Sequence, residues 1–406
     1  MVEKVKEREI SAVDVVDELV QKGTKALEAF RNLNQEEVDY IVAKASVAAL
    51  DQHGKLAKLA IDETKRGVFE DKATKNLFAC EHVINNMRHL KTVGVIDEDE
   101  VNGITMIADP LGVICGITPT TNPTSTTIFK SLIALKTRNP IIFSFHPSAI
   151  NCSIAAAEIV YEAAIKAGAP KDCIQWIEEP SMEGTNALMN HEDIATILAT
   201  GGNAMVKSAY SCGKPALGVG AGNVPAYVEK TANIQQAAHD IVMSKSFDNG
   251  MVCASESAAI IDKEIYNDFL DEIKSYHTYI TNAEEKALLE KYVFGATANS
   301  SEAKNAKLNP DVVGMDASDI AKNAGFEVPK GTSILGVEIK EIGEKEPMSR
   351  EKLSPILGLY QAKSQKDGIE SAKKMVEFHG LGHSAAIHTT DEALSKKYGD
   401  EVKAIR

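Results

Sequence analysis

The sequence predicts an α/β protein of two or three domains, on three observations. Up to about Leu90 the apolar residues fall three and four apart, the spacing of helices packed on one face. From Gly112 onward, β-rich runs alternate with helical stretches of ~10–15 residues, the pattern of βαβ units around a parallel sheet. The chain's 406 residues exceed one ordinary core, since a domain takes roughly 150.

In chain order, Val15-Val16-Leu19-Val20 and Leu27-Phe30 form an apolar stripe behind the N-cap candidate Ser11. A second helix opens at Asn34, with Glu36 and Glu37 in its first turn, where their charge complements the helix dipole. Residues Thr92–Ile96 and Ile104–Ala108 read as two strands across the acidic turn Asp97-Glu98-Asp99-Glu100. That hairpin is either a sheet edge or an arm for another subunit. Strands follow at Gly112–Ile117, Pro140–Phe145, Cys173–Ile177 and Ile194–Ala199, with helices at Thr126–Thr137 and Ser153–Lys166. A second alternating section begins after Gly218, and the domain boundary is expected near Asn223-Val224-Pro225.

Composition excludes several classes. With 44% hydrophobic and 25% charged residues the chain is of globular type. Its 44 basic against 58 acidic residues give a net charge of −14, which opposes non-specific nucleic-acid binding. Residues Met1–Glu7 contain no apolar h-region, and no run of ~18 apolar residues stands out, so a cytoplasmic chain without a membrane span is expected. The six cysteines occur singly, with neither a C-x-x-C pair nor zinc-ligand spacing; they read as reduced thiols, with no metal site expected.

Open parallel sheets bind ligands at the carboxyl ends of their strands, and three such ends carry suitable groups. They are Ile117-Thr118-Pro119-Thr120-Thr121-Asn122, the strand-end His146, and Thr200-Gly201-Gly202, which opens a helix. Gly218-Val219-Gly220-Ala221-Gly222 is a G-x-G-x-G run followed by Asn223-Val224-Pro225 rather than a helix, which argues against a standard dinucleotide phosphate loop. In His379-Gly380-Leu381-Gly382-His383 the two glycines argue against a helical metal face. Cys253 follows the turn signal Asp248-Asn249-Gly250 and precedes the small residues Ala254-Ser255. A thiol near a turn can be reached by substrate, and turns or helix N-termini lower a thiol's pKa by directing amides at it.

Thr200-Gly201-Gly202, the run Lys214 to Asn223 and the run Ser246 to Glu256 together resemble the CoA-acylating acetaldehyde dehydrogenases of the aldehyde dehydrogenase superfamily. The likeness spans nearly the whole chain and is greatest to the N-terminal half of the bifunctional aldehyde-alcohol dehydrogenases. It implies an aldehyde-dehydrogenase-like fold: a Rossmann-type NAD-binding domain (1–91 and 109–223), an oligomerisation hairpin (92–108) and an α/β catalytic domain (224–406). It implies that Cys253 attacks the aldehyde to form a thiohemiacetal, that NAD takes the hydride, and that coenzyme A, as co-substrate, takes the acyl group from the resulting thioester. Asn122 matches the oxyanion-hole asparagine, acting with the Cys253 amide, and His383 matches a general base for CoA. Ile117, Thr118, Pro119, Thr120, His146, Thr200, Gly201, Gly202, Gly220, Glu351 and Leu353 match NAD-binding positions, with Glu351 on the nicotinamide ribose. Hydrolytic relatives carry a glutamate base where aligning on Pro225 places Val219, and valine cannot activate water.

The resemblance further implies a small aldehyde as substrate, a homo-oligomer, and no nucleic-acid or membrane partner. The family continues several tens of residues past the position of Arg406, so its C-terminal tail is expected to be missing. Two alternatives are carried forward: a hydrolytic aldehyde dehydrogenase, and a truncated assembly module of low activity.

Overall fold

The computed structural model describes residues 11–406; residues 1–10, and with them the whole stretch Met1–Glu7 read above for a leader, lie outside the described residues. The chain divides into two compact units, Met1–Lys65 with Lys72–Val219 and Arg66–Asp71 with Gly220–Arg406. This division differs from the expected one in three places, the first being that it keeps residues 92–108 within the first unit. It also cuts after Val219, four residues before the expected boundary, and groups Arg66–Asp71 with the second unit. Local bonds explain the excursion: Gly67 N–H donates to Gly314 O at 3.0 Å and Val68 N–H to Asp248 Oδ1 at 2.7 Å. Six residues held by remote partners leave no periodic trace in a sequence.

The chain opens with five helices, α1 (Ala12–Phe30), α2 (Gln35–Asp51), α3 (His53–Thr64), α4 (Phe69–Cys80) and α5 (His82–Met87). Ser11 and Asn34 cap α1 and α2 as reciprocal capping boxes with Asp14 and Glu37, each satisfying two backbone donors that a helix leaves open. The hairpin β1 (Gly94–Asp99) and β2 (Ile104–Ala108) forms its own two-stranded antiparallel sheet, not the edge of a larger one. Its turn lies later than expected. Asp97 and Glu98 are in β1, where an exposed strand tolerates acids without burial cost. The turn is made by Asp99 Oδ1, which accepts from Val101 N–H (3.1 Å) and Asn102 N–H (3.0 Å), and by Gly103 at φ +67°.

The first unit's sheet contains β3 (Val113–Ile117), β4 (Ile141–Ser144), β5 (Ile174–Trp176), β6 (Ile194–Thr200) and β7 (Ala216–Val219), connected through α6 (Pro123–Lys136), α7 (Ile150–Lys166), α8 (Met182–Asn190) and α9 (Asn203–Tyr210). All pairs are parallel in the order β5-β4-β3-β6-β7. Every residue of β3 and β4 is buried, the continuous apolar run that a parallel strand covered on both faces requires. Helix α6 begins three residues earlier than its periodicity suggested, because Pro123 is pre-set for a first helical position. Pro147–Lys166, which contains α7, is the one helix among the described residues long and apolar enough to cross a membrane. Its Cys152, Ala156, Ala157, Val160 and Ala164 are instead fully buried in the unit's core.

In the second unit, β8 (Val224–Val228), α10 (Ile234–Ser246), β9 (Glu256–Asp262), α11 (Tyr266–Ser275), β10 (Thr278–Ile280), α12 (Ala283–Phe294), α13 (Ala317–Ala324), β11 (Ile334–Ile339), β12 (Ile356–Ala362), α14 (Gln365–His379), β13 (Ala386–His388) and α15 (Glu392–Glu401) follow in order. The sheet is wholly parallel, in the order β10-β11-β12-β9-β8-β13. The glycine run leads from β7 directly to β8 with no helix between, as the sequence indicated.

Candidate functional site

In the first unit the chain runs outward from β3 through β4 to β5, then returns to β6 on the other flank of β3. The gap beyond the carboxyl ends of β3 and β6 is therefore a topological switch point, where open α/β sheets take ligands. Ile117 to Asn122 leave β3 there, and Thr200 to Gly202 leave β6, with Gly202 as N-cap of α9. The Lys130 ammonium, buried on α6, spans the same gap, donating to Ile117 O (2.6 Å) and Leu198 O (2.7 Å). Burial lowers its pKa to about 7.

Thr118 is 3% exposed, and the hydroxyls of Thr118 and Thr120 are buried with no hydrogen-bond partner. Buried hydroxyls are nearly always paired, so two orphans at a switch point fit a polar ligand such as a dinucleotide. His146, just past the end of β4, is exposed, and its Nδ1 accepts from Ser148 N–H at 3.1 Å. Asn122 caps α6 positionally but spends no side-chain bond on the helix. Its Oδ1 accepts from Lys75 Nζ (2.7 Å) and its Nδ2 donates to Thr121 Oγ1 (3.2 Å). Lysine can only donate, so Lys75 fixes the amide oxygen and leaves the second amide N–H for another acceptor.

In the second unit the predicted residues lie at the opposite ends of the strands. Cys253 precedes β9 by three residues, Glu351 precedes β12 by five, His383 precedes β13 by three, and Gly222 precedes β8 by two. Register aligns these starts: Val224 pairs with Glu256 and Ala226 with Ala386, while Gly358 pairs with Ala258. The four entry segments thus line one edge of β12-β9-β8-β13. Gly222 joins three of them. Its N–H donates to Glu351 Oε1 at 2.7 Å, and a Cβ on it would fall 1.8 Å from the Cys253 carbonyl oxygen and 3.0 Å from His383 Cε1.

Cys253 follows the C-terminus of α10 and the turn after it, rather than opening a helix. The preceding turn holds Asp248, Asn249 and Gly250 all in the left-handed region, at φ 50°, 51° and 68°. That costs roughly 1 kcal/mol for each non-glycine. A Cβ on Gly250 would meet Ser354 O at 2.4 Å, so the turn packs against the Glu351–Pro355 segment, where Leu353 is also left-handed at φ 46°. Among the six thiols, Cys80, Cys115, Cys152 and Cys173 are buried, and burial pushes each thiol up, to about 12 for Cys80 and Cys115. Cys212 and Cys253 alone are partly exposed.

His383 places Nδ1 3.1 Å from Ser384 Oγ, while its Nε2 is buried without a partner. Burial and the Arg406 charge lower its pKa below 6.5, which keeps the imidazole neutral at pH 7 and able to take a proton. Burial raises the Glu351 pKa against the opposing Gly222 N–H and the Lys245 and Lys352 charges.

Those two lysines are functional-site neighbours the sequence reading missed. Lys352 is fully buried and donates to Ser257 O (3.0 Å), Met348 O (2.7 Å) and Arg350 O (2.8 Å), tying the Glu351 segment to β9. Burial lowers the Lys245 pKa to about 8 against the Glu256 and Glu351 carboxylates. A signal existed for Lys245, which continues the buried stripe Ala237-Ala238-Ile241-Val242 of α10.

Two parallel α/β units, one with a strand-exit cradle and one presenting a partly exposed thiol near a histidine, have the architecture of an oxidoreductase of the aldehyde dehydrogenase type. The chain belongs to the aldehyde dehydrogenase family, whose profile matches residues 3–405. It is 70% identical over 400 residues to an aldehyde-alcohol dehydrogenase of Streptococcus pneumoniae, covering 98% of this chain and 45% of that protein. The chain therefore spans about half the length of the curated relatives it matches most strongly. Among solved structures, an acetylating aldehyde dehydrogenase of Geobacillus thermoglucosidasius is similar at 42% identity and TM-score 0.92, covering 98% of this chain and 86% of that one. A propionaldehyde dehydrogenase of Rhodopseudomonas palustris, solved with bound CoA and an acylated cysteine, is similar at 30% identity and TM-score 0.83, over 96% of this chain and 86% of that one.

Proposed function

We propose that the chain is a CoA-acylating aldehyde dehydrogenase that interconverts acetaldehyde, CoA and NAD with acetyl-CoA and NADH through a thioester on Cys253. The observation that carries this reading is the gathering of Cys253, His383 and Glu351 about Gly222. Relatives that include an acetylating enzyme and one with CoA and an acylated cysteine support it.

Cys253, as thiolate, adds to the aldehyde carbon and gives a thiohemiacetal alkoxide, with Asn122 and the Cys253 N–H as donors to its oxygen. Bound NAD supplies the hydride acceptor, and loss of hydride leaves the acyl thioester. The strand-exit groups Ile117, Thr118, Pro119, Thr120, His146, Thr200, Gly201 and Gly202, together with Gly220, Leu353 and the ribose acceptor Glu351, are its binding residues. His383 then takes the CoA thiol proton, and the CoA sulfur displaces the Cys253 thiolate. Val219, at the end of β7, supplies no carboxylate for water activation, which favours acyl transfer over hydrolysis. The hairpin, with Ile104, Met106 and Ile107 exposed, is the oligomer arm, and the setting is cytoplasmic.

NADH formation from acetaldehyde tests the reading. CoA-dependent turnover releasing acetyl-CoA is expected, with a Cys253 acyl adduct seen by intact mass after acetyl-CoA treatment. Equal rates without CoA, with acetate as product, would overturn it for the hydrolytic alternative. An inactive chain that still assembles would leave the assembly module.

A further inference from the structure

The glycine run was set aside above as a phosphate loop, yet its last residue and the one after it contact every segment of the second unit's site. Gly222 lacks a positive φ, so its need for glycine is spatial: the Cys253 carbonyl oxygen and the His383 ring occupy the space of a side chain. Its N–H is committed to Glu351 and its carbonyl lies 3.5 Å from Ser257 Oγ. Asn223 is fully buried and spends both amide hydrogens on backbone, donating to Ser349 O at 2.9 Å and Met375 O at 3.1 Å. Ser349 lies two residues before Glu351. Met375 lies in α14, whose C-cap Gly380 would place a Cβ 2.7 Å from Asn223 N and whose carbonyl accepts His383 N–H at 3.1 Å.

We infer that Gly222-Asn223 is the positioning element of this site, holding the Cys253 turn, the Glu351 segment and the His383 loop in one arrangement. The inference rests on the thioester reading above. Neither residue touches the reacting atoms. Gly222 fixes how closely three loops approach, and Asn223 ties two of them by hydrogen bonds that no shorter side chain can make together.

Gly222→Ala and Asn223→Ser in the full chain test it, read by melting, by NAD- and CoA-dependent kinetics with acetaldehyde, and by iodoacetamide alkylation of Cys253. Displacing a reacting group by about 1 Å costs on the order of 10²-fold, so Gly222→Ala is expected to lower kcat by about that factor. Asn223→Ser is expected to raise KM for NAD severalfold through the loosened Glu351. It should also move the acidic limb of acyl transfer up toward the ordinary histidine value, as the His383 loop admits water. A residue that served folding alone would lower the melting temperature and leave KM and the pH limb of the folded protein at wild-type values; that result overturns the inference. If Gly222→Ala does not fold, Asn223→Ser, which adds no volume, decides. If the wild-type chain shows no CoA-dependent turnover, the thioester reading fails separately. Alkylation then decides: a change of about tenfold or more in either folded variant supports positioning, and equal rates overturn it.

Discussion

The two parallel sheets carry their candidate functional residues at different strand ends, exits in the first and entries in the second. In the first, Thr118, Thr120 and Gly202 follow strands, at a switch point where the Thr118 and Thr120 hydroxyls are left without internal partners. In the second, Cys253, Glu351, His383 and Gly222 precede strands, in segments closed on one another by hydrogen bonds and tight contacts. A strand exit leaves polar groups open and suits binding. The strand entries of the second unit are held to one another at Gly222, an arrangement suited to positioning groups for chemistry. Substitutions at exits should therefore move KM for NAD, and substitutions at entries should move kcat.

The largest expected effect is at an entry. Cys253→Ala removes the nucleophile and should lower hydride transfer by at least about 10⁴-fold while leaving NAD affinity, measured by fluorescence titration, unchanged. Turnover near wild type would place the nucleophile elsewhere, with Cys212 the remaining partly exposed thiol.

Asn122 is the residue most able to break the comparison, since it lies at an exit yet has a proposed chemical role. Asn122→Ala should lower kcat by roughly 10²–10³ with KM for NAD nearly constant. An effect confined to KM would make it one more binding group.

The same contrast explains what could be read from the sequence. Exits are legible because strand ends follow from apolar runs and the carboxyl-end rule then names the residues, as it did for Thr118 and Thr200. Capping at Ser11 and Asn34 was legible because it acts over three residues. The entry site was not. Cys253 was one of six thiols with a turn before it, and it gained its partners through a family resemblance rather than through spacing. Lys352 and Asn223 escaped because their meaning comes from carbonyls contributed by distant segments. A buried lysine looks in sequence like any surface lysine until those acceptors are placed.

His383 sharpens the entry side. With His383 as the proposed base for CoA, His383→Ala should slow acyl transfer by about 10²–10⁴-fold and leave the first burst of NADH intact in rapid mixing. Because burial and the Arg406 charge lower its pKa, the imidazole stays unprotonated to below pH 6.5. The acidic limb of the CoA step should therefore fall below that value in the wild-type chain. A limb at or above 6.5 that persists in His383→Ala would assign the proton to another group.

The smallest expected effect sharpens the exit side. Thr118→Val exchanges a buried hydroxyl that has no partner for a methyl of nearly the same volume. An unpaired buried hydroxyl carries a desolvation cost of roughly 1–3 kcal/mol, so the ligand-free variant should melt at the wild-type temperature or slightly above it. With NAD present the order should reverse, since the hydroxyl stabilises the bound form and a ligand raises stability only by its affinity for the native state. KM for NAD should rise a few-fold with kcat unchanged. If both melting curves instead drop together, the hydroxyl has a structural partner and the open exit cradle loses its strongest support.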